Sequence, residues 1–116
     1  MEYNSKIINE DIFEGNYFGS GDLILSGTFK GTIKIDKLII NENASFIGNI
    51  TAKEIIVEGH IKADIATEKL HILSNGKVEG DLVYKTLKID EGGYLNSSKV
   101  IKMSDQNNLK SKVLKN

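Results

Sequence analysis

Hydrophobic and polar residues alternate along this chain, and the alternation recurs at a short, regular interval. Period-two alternation is typical of strands whose aliphatic side chains share one face. Five pairs of aliphatic residues, each two positions apart, mark candidate strands: Leu23/Leu25, Leu38/Ile40, Ile55/Val57, Leu70/Ile72 and Leu87/Ile89.

A second motif, apolar-x-small-x-apolar, separates successive aliphatic pairs, and its small residue precedes the next pair by seven positions in every full copy. We expect the small residues to bend the backbone inward or to adopt positive φ, because a narrow core leaves little room for a large side chain. The full copies are Phe29-Gly31-Ile33, Phe46-Gly48-Ile50, Ile61-Ala63-Ile65 and Val78-Gly80-Leu82; a fifth, Leu95-Ser97-Lys99, lacks the last apolar residue.

Only one corner of the repeat varies in length. It holds three residues between Leu25 and Phe29 and five between Ile40 and Phe46, so the repeat has a short form of fifteen and a long form of seventeen residues, each with three short strand segments. A helical repeat would show an apolar period of 3 to 4, and an antiparallel meander would place equivalent residues on oppositely running strands. A coil whose turns stack about 4.8 Å apart accommodates the pattern. The sequence therefore predicts an all-β, single-domain parallel β-helix.

The same repeat sets the predicted domain boundaries. The β-helix covers residues 12–101 and begins with a degenerate turn over residues 12–21, in which the stretch from residue 15 to residue 21 looks compressed and Phe13 and Phe18 point inward. Residues 1–11 and 102–116 do not follow the repeat and are predicted to be flexible tails.

Composition narrows the range of functions. The chain has 116 residues, no cysteine and a net charge of −1, which leaves no disulfide framework and no thiolate metal site. All 15 basic residues are lysines, and the lack of arginine weighs against sequence-specific recognition of nucleic acid. No apolar run approaches the roughly 20 residues that span a bilayer, and there is no basic-then-apolar leader, so we expect a cytoplasmic protein.

The candidate chemical groups do not point to an enzyme. His60 and His71, the two histidines, are predicted to face outward on different faces, whereas zinc requires three or four converging ligands. The enzymatic hexapeptide-repeat β-helices have strict six-residue periods with a catalytic or metal-binding histidine, which this chain lacks. No glycine loop with a following Lys-Ser/Thr is present to bind a nucleotide phosphate. We predict no catalytic residue, no cofactor site and no metal site.

Acidic residues raise the separate question of a sugar-cleaving carboxylate pair. Glu58, Asp64, Glu79 and Asp81 are the candidates, but most occupy outward strand positions, where charge also keeps a face soluble. The chain has no tryptophan for a sugar platform, so we expect these acids to be solvated surface groups.

The repeat segments resemble those of the bactofilins. The resemblance rests on Gly31-Thr-Ile, Gly48-Asn-Ile and Gly80-Asp-Leu, each followed by an aliphatic strand, and covers about residues 15–97. It implies a right-handed, three-sided β-helix that polymerises end to end without nucleotide as a bacterial cytoskeletal protein. It also implies support of cell shape, scaffolding of peptidoglycan-modifying enzymes or other envelope proteins, and association with the inner face of the membrane through the N-terminal tail. That tail, with acids around Ile7-Ile8, is a poor match to a hydrophobic anchor.

The two ends of a β-helix provide an independent argument for polymerisation. They expose unpaired backbone groups and open apolar core, and soluble solenoids need polar caps there. We predict two polymerisation interfaces, Phe13, Phe18, Leu23 and Leu25 at the N-terminal end and Leu87, Ile89, Tyr94 and Leu95 at the C-terminal end. Folding back of the tails as caps would leave instead a monomeric adaptor that binds a protein partner through its outer faces.

The orientation of neighbouring subunits has two candidate answers. Residues 1–22 carry five acids and one lysine, and residues 99–116 carry five lysines and one acid, which favours head-to-tail contacts. The family resemblance implies non-polar filaments with like-to-like contacts. Because tail charges are screened within about 10 Å at 0.1 M salt, we expect like-to-like contacts.

Overall fold

The computed structural model describes residues 11–103 and, by their backbone alone, residues 5–8. The regular secondary structure of this part of the chain consists of strands, and every strand pairing within it is parallel. It contains no helix that could span a membrane. The strands are β1 (Ser5–Ile8), β2 (Ile12–Phe18), β3 (Asp22–Leu25), β4 (Thr28–Ile40), β5 (Ser45–Val57), β6 (His60–Ile72), β7 (Lys77–Glu79), β8 (Leu82–Tyr84), β9 (Thr86–Ile89), β10 (Tyr94–Asn96) and β11 (Val100–Lys102).

The strands wind into a solenoid with three faces. β6 reveals the three faces because it pairs with three separate strands of the next turn, β7, β8 and β9. We call the face of β7 and β10 the first face, that of β8 and β11 the second face, and that of β1, β3 and β9 the third face. β4, β5 and β6 cross all three faces, and β2 crosses the first two. The predicted all-β parallel β-helix is confirmed.

The register between turns reproduces both predicted lengths of the repeat. Phe29 pairs with Phe46, which is the long form, and Phe46 pairs with Ile61, which is the short form. The difference lies at the corner between the third and first faces, where residues 41–44 join β4 to β5 but only residues 58–59 join β5 to β6. The strands on either side keep their register because this corner absorbs the difference.

Inward side chains of successive turns stack into columns that form the core. The rings of Phe29 and Phe46 are stacked with centroids 5.2 Å apart, and Phe13 extends the column at 4.8 Å from Phe29. Each fully buried aliphatic or aromatic side chain stabilises the fold by about 1.5–3 kcal/mol. The fully buried large residues include Leu23, Leu25, Ile33, Leu38, Ile40, Ile50, Ile55, Ile61, Leu70 and Ile72.

The regular spacing of the motif glycines has a backbone cause. Gly31 and Gly48 pair in register with φ of +139° and +137°, so these two positions adopt the positive φ that was one of the two expected conformations. A Cβ on Gly48 would lie 1.9 Å from the carbonyl oxygen of Gly31. The obstacle to a side chain at Gly48 is therefore the backbone of the preceding turn and not the narrow core that the repeat pattern predicts.

The first turn differs from its predicted form. β2 pairs with β4 so that Phe13, Gly15 and Tyr17 lie opposite Phe29, Gly31 and Ile33, which makes them a complete copy of the motif. Phe18 is 66% exposed. The prediction that Phe18 points inward is wrong, because Tyr17 occupies the inward position beside it.

Between its second-face and third-face strands, the same turn contains one residue more than the next turn. Four positions separate Phe18 from Asp22, whereas three separate their partners Lys34 and Lys37. The predicted compression is therefore an expansion. The Gly21 N–H donates a hydrogen bond to Asp36 Oδ2 at 2.9 Å, which stabilises the bulged backbone.

The solenoid begins before the predicted boundary at residue 12. β1 pairs with β3 over four residues, although residues 5–8 fall in the stretch assigned to a flexible tail. The other residues of the two predicted tails, apart from 11, 102 and 103, lie outside the described part of the chain.

Candidate assembly surfaces

The N-terminal end presents the outer edges of β1 and β2. Each pairs with a following strand on one side only, and no other described strand pairs with its outer edge. Phe13 and Tyr17 are partly buried and pack against the core, while Ile12 is 57% exposed. Backbone donors and acceptors along an open parallel edge are suited to pairing with another chain.

Two of the residues predicted for the N-terminal interface lie elsewhere. Leu23 and Leu25 are fully buried, and β1 covers the edge of β3 that carries them. They belong to the interior of the solenoid because the chain supplies one more strand than expected. Phe13 remains at the end, and Phe18 lies on the outer surface of the second face.

The C-terminal end presents the outer edges of β9, β10 and β11, one on each face. Leu87 and Leu95 are partly buried and pack against the core from this end. Ile89 and Tyr94 are 42% and 45% exposed. The structure thus brings all four residues predicted for this interface to the last described layer.

Sequence reasoning missed the third edge of this end. Val100 and Ile101 in β11 are 45% and 44% exposed. The fifth motif copy fails at Lys99 because one extra residue separates the segments, which places Val100 opposite Leu82. The Ser97 hydroxyl donates to the Lys99 carbonyl at 2.9 Å and marks this bulge. Allowing one inserted residue in the motif would have found β11.

The two histidines face outward on different faces, as predicted. His60 Nε2 lies 3.9 Å from Glu79 Oε2 on the first face. His71 Nε2 lies 3.0 Å from Asp90 Oδ1 near the third face. Within residues 11–103, no three histidines or carboxylates are grouped closely enough to hold a metal ion.

The acidic residues considered as a sugar-cleaving pair do not converge on a cleft. Asp64 and Asp81 are exposed neighbours on the second face, along an open groove of about 350 Å³. Glu79 lies beside His60 on the first face, and Glu58 lies in a corner. These carboxylates are dispersed over the outer surface.

Comparison with known proteins agrees with the solenoid fold. A family model described as bactofilin, polymer-forming cytoskeletal, matches residues 5–99. The fold is similar to that in the cryo-EM reconstruction of Thermus thermophilus bactofilin double helical filaments, with a TM-score of 0.77 and 16% sequence identity over 85% of this chain and 99% of that chain. Comparison with curated proteins gives no match. Since the family match covers most of the chain and starts where β1 starts, the chain belongs to the bactofilin family of polymer-forming cytoskeletal proteins.

Proposed function

We propose that this chain is a structural subunit that assembles end to end into filaments without nucleotide. The observation that carries the proposal is the state of the two ends, which both combine unpaired strand edges with partly exposed core residues. Stacking a second solenoid on either end would pair the edges and cover Phe13 and Tyr17, or Leu87 and Leu95. Each backbone hydrogen bond gained contributes roughly 0.5–1.5 kcal/mol net, and the apolar area adds to it.

The filament serves, in this proposal, as a cytoplasmic scaffold for cell-shape or envelope machinery rather than as an enzyme. The polymer-forming cytoskeletal description of the family and the filament formed by the Thermus thermophilus relative support the role. Its partners would be further copies of itself, peptidoglycan-modifying enzymes or other envelope proteins, and the inner face of the membrane.

Negative-stain electron microscopy of the purified chain in nucleotide-free buffer tests the assembly. We expect filaments for the wild type and for Ile47→Asp, a control in which a charge replaces a 44% exposed side chain in the middle of the first face. Phe13→Asp and Leu95→Asp should each abolish filaments, because they place a charge in the core opening at one end. Dispersed monomers of the wild type would support the adaptor with capped ends instead.

Sedimentation of the two end variants distinguishes the orientations of neighbouring subunits. With like-to-like contacts, which we expect, Phe13→Asp blocks only the N-terminal contact and leaves dimers joined at their C-terminal ends. Leu95→Asp leaves dimers joined at their N-terminal ends. With head-to-tail contacts, either variant blocks every interface and both sediment as monomers, which would overturn the like-to-like arrangement.

A further inference from the structure

The third face carries an outward-facing column of isoleucines that the end contacts do not use. Ile24, Ile39 and Ile56 occupy the same register position in three successive turns. They are partly exposed, and none belongs to the hydrophobics that pack against the core. Large aliphatic side chains aligned on the outside of a sheet are typical of a contact surface.

A column of charges runs beside the isoleucines and alternates in sign. Asp22, Lys37, Glu54 and Lys69 occupy consecutive layers, two positions before Ile24, Ile39, Ile56 and His71. No ion pair within 4.0 Å joins any of the four to another described residue. Their charges are therefore available to a partner.

We propose that the third face binds the third face of a second copy, with the two solenoids antiparallel and a twofold axis between the layers of Ile39 and Ile56. This contact would lie on the side of the solenoid and is separate from the end contacts of the proposed function. In a twofold contact, each pair of facing residues occurs twice, once on each side of the axis. Ile39 meets Ile56 of the other copy, Lys37 meets Glu54, and Asp22 meets Lys69.

The charges select this arrangement among its neighbours. Sliding one copy along the other by one layer, about 4.8 Å, opposes Asp22 with Glu54 or Lys37 with Lys69. In a parallel arrangement with the twofold axis along the column of charges, each charge meets its own copy. With the axis along the isoleucines, Lys37 and Lys69 fall opposite Asn41 and Leu73 instead of a carboxylate. Like charges in direct opposition are unfavourable, so the alternatives that bring them together are disfavoured.

The other faces lack this combination of a central apolar contact with opposite charges beside it. On the first face, an axis between the layers of Ile47 and Lys62 opposes an isoleucine with a lysine, so the central contact is not apolar. On the second face, an axis between the layers of Ala66 and Val83 opposes Asp64 with Asp81. On the third face, the axis that brings Ile39 against Ile56 of the other copy also brings Lys37 against Glu54. The twofold symmetry repeats both pairs on the other side of the axis.

The size of the face indicates when the contact forms. Four-residue segments over six layers, from β1 to β9, give a patch of about 13 by 29 Å, or roughly 750 Å² buried for both copies together. Stable complexes bury about 1,200–2,000 Å². One contact is therefore weak, but it repeats along a filament, where the linked contacts reinforce each other. We expect paired filaments and mostly unpaired free subunits.

Crosslinking tests the register because the chain has no cysteine of its own. Ile24 faces His71 of the other copy, whereas two Ile24 residues lie three layers, about 14 Å, apart along the axis. A bismaleimide with a two-carbon spacer should give crosslinked dimers in a mixture of Ile24→Cys and His71→Cys proteins and none with either protein alone. Crosslinking of Ile24→Cys by itself, or none in the mixture, would overturn the proposal. The outcome separates this contact from the end contacts, because irreversible crosslinking captures it whether or not filaments form.

Charge reversal with rescue tests the pairing of Lys37 and Glu54. Glu54→Lys should convert paired filaments to single ones in electron micrographs, because it opposes two lysines across the axis. The double variant Lys37→Glu/Glu54→Lys should restore pairing. Glu42→Lys, at an exposed corner, is the control that should leave paired filaments unchanged. Paired filaments with Glu54→Lys, or a double variant that stays single at unchanged thermal stability, would overturn the proposal.

Discussion

The ring of Phe13 stacks on the ring of Phe29 with their centroids 4.8 Å apart and their planes inclined by 22°. Phe13 is thereby the outermost described member of an aromatic column that continues to Phe46. One side of its ring contacts the core, and the other side has no described aromatic partner. Phe13 therefore contributes to the stability of the first turn and also forms part of the apolar surface at the N-terminal end.

Replacing Phe13 with alanine should destabilise the monomer by about 1–3 kcal/mol, because the stacking contact and part of a buried surface are lost. Phe18→Ala is the matched control and should change stability by less than about 0.5 kcal/mol, since that ring is mostly exposed. Urea unfolding at a concentration where the protein sediments as monomers measures both. Equal effects would contradict the inward and outward assignments of the two rings.

Alanine at Gly48 and at Gly15 separates two contributions to the glycine ladder. Both glycines have positive φ, +137° and +144°. A Cβ on Gly48 also meets the Gly31 carbonyl oxygen, whereas a Cβ on Gly15 would be 3.7 Å from the nearest atom, in the Phe13 ring. We expect Gly15→Ala to cost about 1–3 kcal/mol through backbone strain and Gly48→Ala to cost distinctly more. Thermal unfolding of the two variants side by side measures the difference, and an equal loss would mean that strain alone requires glycine.

Insertions should be tolerated at the variable corner and not within a strand. Two residues, Gly-Ser, added between Glu42 and Asn43 should cost about 1 kcal/mol or less, because longer surface loops add little closure entropy. A single alanine inserted after Ile47 should prevent cooperative folding, because every later side chain of β5 would change faces. Circular dichroism during thermal unfolding compares them. A folded strand insertion would show that the register is less strongly specified than the stacked core implies.

The hydrogen-bonded pair of His71 and Asp90 should contribute little to stability. Its atoms are 3.0 Å apart, but both side chains are about one-third exposed. Partly exposed ion pairs contribute about 0–1 kcal/mol. Asp90→Asn should therefore change the free energy of unfolding by less than about 1 kcal/mol in urea titrations. A larger loss would indicate that the pair positions the turn at residues 90–93.

The central turns were predictable because their inward residues recur at one of two fixed spacings, 17 residues from Phe29 to Phe46 and 15 from Phe46 to Ile61. At both ends the spacing changes by one residue, after Phe18 and after Asn96. A pattern defined by fixed distances therefore ended too early at Lys99 and took Phe18 for an inward residue. Backbone pairing between turns tolerates such bulges because the strands on either side resume their register.

The remaining strand, β1, was hidden for a different reason. Lys6 occupies the register position of Leu23, so the alternation of aliphatic residues is absent from its sequence. The candidate interface was predictable in part. Leu87 and Leu95 lie at the last layer as expected, whereas Leu23 and Leu25 are covered because β1 adds a strand that composition and periodicity did not reveal.

The three strands β4, β5 and β6 have the same length, 13 residues, and the corners between them are the only parts that differ in length. A duplicated or deleted unit of one strand and one corner would leave the first and last layers of the molecule unaltered. During evolution, each added unit would lengthen the subunit by about 4.8 Å while the chemistry of its ends stayed the same. The axial repeat of a polymer built from such subunits could thus drift between species independently of the ability to polymerise.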